Sequence, residues 1–386
     1  MTIKAARGIK EVGVGSVGVT DIVNGYAVLR EQVIATNSYV NGRLTVFNKD
    51  RSKDISYSNT TPGGGYNRLY INQVNPEDIT VRSPLSYISI SFGQSYTNPG
   101  LQLANVLTAS KDDDFLLLCG LNYNTNIFRI GIDPSTYQMT SVVTFDTTIE
   151  NPKKLEIIDA NNYVNYSGQN IQVFTFDGDA ITLSKTIALD FDIMRVNAVN
   201  GYIVAIGLNE IRIINPIDET VIYEESPEET LADVVCDGNY VFVKTLSDTT
   251  NPVFIYEIAD GAVNKIPFTV DGTFLAGAVK SLVNIVKDDN VSDQQYIMIY
   301  HSDNAANIMM SIDFSTSKVK SVEVGANIFT GTPGSLKPTF LSGNRIIYYS
   351  STSGMPGTYY TYAYRYEYCQ IEHRYIGRLY KIFGIG

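Results

Sequence analysis

One pattern constrains this chain more than any other: a cycle of four short apolar runs that returns about every 40–50 residues. Its cleanest copy is "FDIMRVNAVNGYIVAIGLNEIRIINPIDETVIYEES", residues 191–226. There the runs IMRVNAV, YIVAIG, EIRIINP and TVIYEE are separated by N-G, L-N and P-I-D-E. Turn residues between alternating apolar runs predict antiparallel hairpins. Four strands in so short a window leave no room for a crossover helix. The same order recurs over 104–145, 153–187, 230–270 and 278–324. An acidic or amide residue marks each expected turn between third and fourth strands, at Asn48, Asp133, Asp177, Asn215, Asp260 and Asp313. Such a side chain can bond the backbone two residues on.

One such meander exposes two apolar faces and cannot shield itself. Set radially against like neighbours, it buries both, which explains runs apolar on successive residues, such as "YIVAIG" and "FLLLCG". The period is that of a propeller blade. The expected fold is therefore all-β, a β-propeller of four-stranded antiparallel blades. Seven blades are expected, or eight if residues 57–100 form a degenerate blade rather than an insertion. The propeller is expected to span residues 1–370, with residues 371–386 as a C-terminal docking tail. The N-terminal "EVGVGSVGVTDIV" is the candidate for a strand that closes the ring. The most helix-like stretch, "TFLAGAVKSLVNIV" at 273–286, reads as loop plus strand because its end is rich in β-branched residues. A pair of two-layer β-sandwiches is the competing architecture.

At "GNYVFVKTLSDTTNPVFIYEIADGAV" the chain resembles the broad WD40/YVTN-like propeller superfamily, a likeness of pattern that covers most of residues 20–370. It shows no Trp-Asp dipeptide, no Gly-His signature, no kelch double glycine at fixed phase and no Asp-box. The resemblance implies a fold and no family activity.

Composition narrows the function classes. A formal charge of −11 and the absence of any basic run argue against binding nucleic acid through its phosphates. No stretch approaches the length of a membrane span, and the N-terminus shows no apolar secretory core. The three cysteines, Cys119, Cys236 and Cys369, are too sparse for a disulfide framework or a zinc site. The glycosylation-type triplets at Asn59, Asn165 and Asn290 then carry little weight.

No catalytic or metal-ligating residues are assigned. The two histidines, His301 and His373, exclude a His-rich metal centre. Cys369 and His373 would lie about 13 Å apart along a strand, too far for a nucleophile and its base. "GVGSVG" at 13–18 lacks the Gly-Lys-Ser/Thr of a phosphate loop and reads as a twisted edge strand. Acid-rich turns occur at 111–115, 176–180, 190–192 and 287–293. They read as solvated turn acids, and a structural cation at one of them is the single cofactor the sequence admits. Paired carboxylates for glycoside hydrolysis need a spacing that sequence does not reveal, and the tryptophan platforms usual in sugar-cleaving sites are missing.

The remaining feature is "TYYTYAYRYEY", which puts Tyr360, Tyr362, Tyr364, Tyr366 and Tyr368 on one side of an extended chain. The run 358–371 would reach about 45 Å at about 3.3 Å per residue, longer than a blade strand needs. It reads either as a core seam between blades or as a contact surface for a subunit or a cell-surface glycan. Behind it, "CQIEHRYIGRLYKIFGIG" gathers Arg374, Tyr375, Arg378, Tyr380 and Phe383, residue types that dominate interfaces. The leading expectation is a non-catalytic virion component of a phage or archaeal virus, a tail, spike or capsid-associated protein. It would assemble in the host cytoplasm and contact other protein subunits, copies of itself or a host glycan. That expectation rests on a Tyr/Asn/Thr/Ser-heavy, low-charge composition. The alternatives are an intracellular protein-interaction scaffold and a propeller enzyme acting on a polysaccharide or lactone.

Overall fold

The computed structural model describes residues 19–23, 26–31, 42–47, 53–60, 66–74, 82–90, 104–110, 112–120, 126–146, 155–246, 251–270, 279–287, 295–302, 307–323, 339–341, 345–353 and 359–370. None of these is helical. Among them the strands group into seven sheets of four or five strands.

Strands β1 (Val19–Val23) and β2 (Tyr26–Glu31) come first. The first sheet in sequence holds β3 (Gly42–Phe47), β4 (Lys53–Thr60), β5 (Tyr66–Val74) and β6 (Arg82–Ile90). The next holds β7 (Ala104–Ala109), β8 (Phe115–Gly120), β9 (Asn126–Ile132) and β10 (Met139–Asp146). It is followed by β11 (Glu156–Ile157), β12 (Asn162–Ser167), β13 (Asn170–Phe176) and β14 (Ile181–Ala188). Then come β15 (Arg195–Val199), β16 (Tyr202–Ile206), β17 (Ile211–Ile214) and β18 (Val221–Glu225). A fifth meander is β19 (Leu231–Asp237), β20 (Tyr240–Thr245), β21 (Val253–Ala259) and β22 (Ala262–Ile266).

The remaining two sheets have five strands. One combines β24 (Val279–Lys287), β25 (Gln295–Ser302), β26 (Asn307–Asp313) and β27 (Lys318–Glu323) with the short β23 (Thr269–Val270), which pairs parallel to β27. The other runs β1-β2-β30-β29-β28, from β28 (Thr339–Leu341), β29 (Arg345–Ser353) and β30 (Tyr359–Gln370). All other pairings are antiparallel between consecutive strands, save that β2 pairs with β30. The N-terminus thus closes the ring, and it does so with two strands rather than one.

The cores lie between sheets, as the unshielded meander requires. On β8, Phe115 and Leu117 join Ile127, Leu155, Tyr163, Phe174 and Ile181 on one side. Leu116 and Leu118, pointing the other way, join Ile55, Leu69, Ile71, Phe128 and Ile130. On β16, Ile203 and Ala205 face the preceding sheet while Val204 and Ile206 face the next. Each such Leu or Ile contributes about 1.5–3 kcal/mol when removed from water. A sandwich would bury one face of each sheet; here both are dry, and that excludes the competing architecture.

First strands of successive sheets lie against one another (β3 on β7, β11 on β15, β15 on β19, β19 on β24), so they form the axial side. Fourth strands form the circumference. Residues 57–90 hold the end of β4 with all of β5 and β6, hydrogen-bonded onto β3 as a regular meander.

The turn residues behave largely as their chemistry predicts. Oδ1 of Asp133, Asp177, Asn215 and Asp313 accepts the N–H of the residue two positions on, at 2.8–3.0 Å. Two expectations need correction. Asp260 makes its turn by taking φ of 52° beside Gly261 at 77°, a two-residue hairpin loop between β21 and β22. Asn48 lies outside the described residues, but its place is between β3 and β4, so it marks a first turn rather than a third.

Candidate interaction surface

At one end of the ring, the turns between second and third strands meet the connections between sheets. Backbone bonds fix this meeting in successive sheets. Ile193 N–H donates to the Gly168 carbonyl at 2.9 Å, and Leu231 N–H donates to the Leu208 carbonyl at 2.7 Å. Leu246 N–H reaches the Thr230 carbonyl at 2.7 Å. The turn after β16 is tight enough to require glycine: a Cβ on Gly207 would lie 2.6 Å from the Phe191 ring and against Glu210 Oε2.

This arrangement sets Leu208 and Leu246 on either side of Thr230–Leu231, bridging two consecutive sheets. Both leucines are exposed, at 57% and 42%. Between and around them stand carboxylates. Glu210 Oε2 accepts the N–H of Asn209 at 3.0 Å, Asn209 Nδ2 donates to the Glu229 carbonyl at 3.1 Å, and Asn251 Nδ2 donates to Glu229 Oε1. Glu228, Asp190 and Asp192 are exposed at the same end.

The basic residues at this end are engaged. Arg212 lies 3.8 Å from Asp190 and 3.4 Å from Glu224, and its guanidinium sits over the Phe191 ring at 5.5 Å. Nearer the axis, Arg195 is 3.4 Å from the mostly buried Asp233. Lys244, fully buried and opposite Asp233 in the β19–β20 register, donates to the Thr245 carbonyl at 2.5 Å. The resulting surface is apolar at its centre and acidic around it.

A second polar cluster ties the same two sheets together. Glu225 accepts from the Tyr223 hydroxyl at 2.5 Å, the Tyr256 hydroxyl at 3.0 Å and Lys265 Nζ at 2.5 Å. Lys265 Nζ also sits 4.0 Å over the Phe254 ring. Burial pulls the Glu225 pKa up, but Lys265 and the two hydroxyls outweigh it and hold the carboxylate below its usual range. Burial, with Glu225 beside them, pushes both tyrosines up. This cluster is fully satisfied and structural.

The residues singled out from sequence fall elsewhere. Tyr360, Tyr362, Tyr364, Tyr366 and Tyr368 lie on β30, an interior strand paired on both edges. Residues 359–367 pair with β29 and residues 365–370 with β2, which accounts for the strand's length. Arg374, Tyr375, Arg378, Tyr380 and Phe383 lie outside the described residues, as does His373; His301 ends the run Gln295–Ser302 beside Ser281. Asn165 is fully buried on β12, its Nδ2 without a partner, so its triplet offers no accessible glycosylation site. Among the described residues no group of three or more His, Cys, Asp or Glu is gathered as a metal ion would need, and no helix is long and apolar enough to cross a membrane. Of the acid-rich turns, Asp177 bonds its own backbone and Asp114 accepts from Ser110 Oγ at 2.6 Å.

Sequence reasoning missed Leu208 and Leu246. Each is a lone leucine in a polar turn, and their adjacency arises only through the bonds to Thr230 and Leu231.

No protein-family model matches the chain, and no curated protein sequence matches it. Solved structures do. U3-55K aligns over 88% of this chain and 98% of its own, with a TM-score of 0.53 and 10% identity. The β-propeller domain of Cps50 (Swd1) from Myceliophteria thermophila covers 86% and 99%, with a TM-score of 0.52 and 8% identity. A chain of the mitotic checkpoint complex covers 93% and 96%, with a TM-score of 0.51 and 11% identity. At such identities the likeness is one of fold: this chain is a WD40-like β-propeller, without a family signature.

Proposed function

We propose that this chain is a non-catalytic protein-interaction scaffold that holds a partner against the end of the ring carrying Leu208 and Leu246. The partner segment is basic and presents apolar side chains to the two leucines. The observation that carries this reading is the pair of exposed leucines, held by backbone bonds across two sheets and rimmed by acids. Isolated exposed apolar residues need no explanation, and Ile217, 84% exposed, is one. A rigid apolar pair inside an acidic rim has the make-up of an interface centre. That one of the fold's neighbours belongs to a multiprotein complex supports the reading. The virion expectation, with its host-glycan attachment, rests on composition alone. The comparisons lend it no support, so the scaffold reading is preferred.

The test compares the wild type, Leu208→Ser/Leu246→Ser and Ile217→Ser as bait. A partner retained by the wild type would be purified and titrated by calorimetry. The double variant is expected to lose about 2 kcal/mol or more of affinity, with Ile217→Ser unchanged, and binding should weaken as salt rises. A purified partner that binds the double variant as tightly as the wild type sinks the proposal.

A further inference from the structure

The circumference of the ring is a series of strand edges, and each is a template for another strand unless something blocks it. The chain covers one of them itself: β23 lies along β27, Thr269 beside Lys318 and Val270 beside Val319, with Thr269 N–H donating to the Ser317 carbonyl at 2.9 Å. The other described outer strands carry a deterrent. Arg82 and Pro84 stand on β6, Lys185 on β14, Glu224 and Glu225 on β18, Lys265 on β22, and Asp21 on β1.

Strand β10 is different. From Met139 to Phe145 it reads MTSVVTF, with no charge and no proline. It ends its sheet, and Thr140, Ser141, Val142 and Thr144 are exposed along it. Its register irregularity is confined to Met139–Ser141, leaving Ser141–Asp146 regular against β9.

We propose that β10 is a homodimer edge: β10 of a second copy pairs with it antiparallel, joining two rings through one continuous sheet. The occupant is a second copy because of charge. The chain as a whole is acidic, and like charges meet when most of its edges approach their own kind. An antiparallel self-pairing about Val143 instead sets valines and threonines opposite one another, pairs that favour a sheet. Such a contact is isologous, so it closes at two copies. It uses the circumference and leaves the end carrying Leu208 and Leu246 free, so it stands or falls independently of the scaffold role.

Sedimentation equilibrium or light scattering over a micromolar-to-millimolar series tests this. The wild type is expected to approach the mass of two chains. Val142→Lys and Val142→Glu should each sediment as single chains while melting at the wild-type temperature, since Val142 is exposed. Mixing the two variants should restore the two-chain mass, a rescue that damage to folding could not produce. Thr144→Lys serves as a second disrupting variant. A wild type that stays a single chain throughout, or a dimer that survives both lysine variants, overturns the proposal.

Discussion

Asp133 shows how much of this architecture is settled by single side chains at hairpin ends. Its carboxylate accepts the Ser135 hydroxyl at 2.6 Å and backbone N–H at 2.8 Å, with the Thr136 N–H at 3.3 Å. Those bonds, the Ser135 hydroxyl foremost, lower its pKa to about 2. Because the folded value lies below the usual 3.8, its stabilising effect is complete above about pH 4 and is lost as pH falls towards 2. Asp133→Asn should lower the melting temperature at pH 7, and its deficit relative to the wild type should shrink between pH 4 and pH 2. Calorimetry across that range checks both. The described buried tyrosines carry a related lesson. Tyr166 and Tyr256 set their rings in the inter-sheet cores, while their hydroxyls reach the Met194 carbonyl at 2.6 Å and Glu225 at 3.0 Å. Tyrosine is abundant here because it can fill a core and still satisfy a polar atom where the core meets the rim.

At the scale of strands, the second strand of each sheet does most of the work, since it is packed on both faces. Leu116→Ala and Leu117→Ala remove similar side chains from one strand but open different cores. Each should cost about 2–5 kcal/mol of stability in denaturant titrations. This two-sided packing is why strands from 104 to 323 are legible in the sequence: continuous apolar runs broken by Asn-Gly or Asp-led turns leave little freedom of register. Strands β4–β6 are less legible because "KDISYSNT" and "SPLSYISI" are polar enough to read as loop, and Asn48 suggests the wrong phase. The interaction surface is not legible at all. Leu208 and Leu246 stand in separate sheets, and nothing along the chain links them; the contact is made by a backbone bond from Leu231 to Leu208.

At the scale of the whole molecule, the ring depends on strands from opposite ends of the chain. Removing residues 1–31 deletes β1 and β2 and strips one edge of β30 over residues 365–370. The truncated chain should lose its single cooperative melt, and a peptide spanning residues 19–31 added in trans should restore part of it. Thermal denaturation with and without that peptide checks the expectation. The register of this closure also decides how the protein answers to tension. Tyr26 lies opposite Gln370 and Glu31 opposite Arg365, so a load drawing the two ends of the chain apart arrives at the first rung and parts the rungs singly. Such a clasp opens like a zip at modest force, whereas the same six residues pulled lengthwise would resist together.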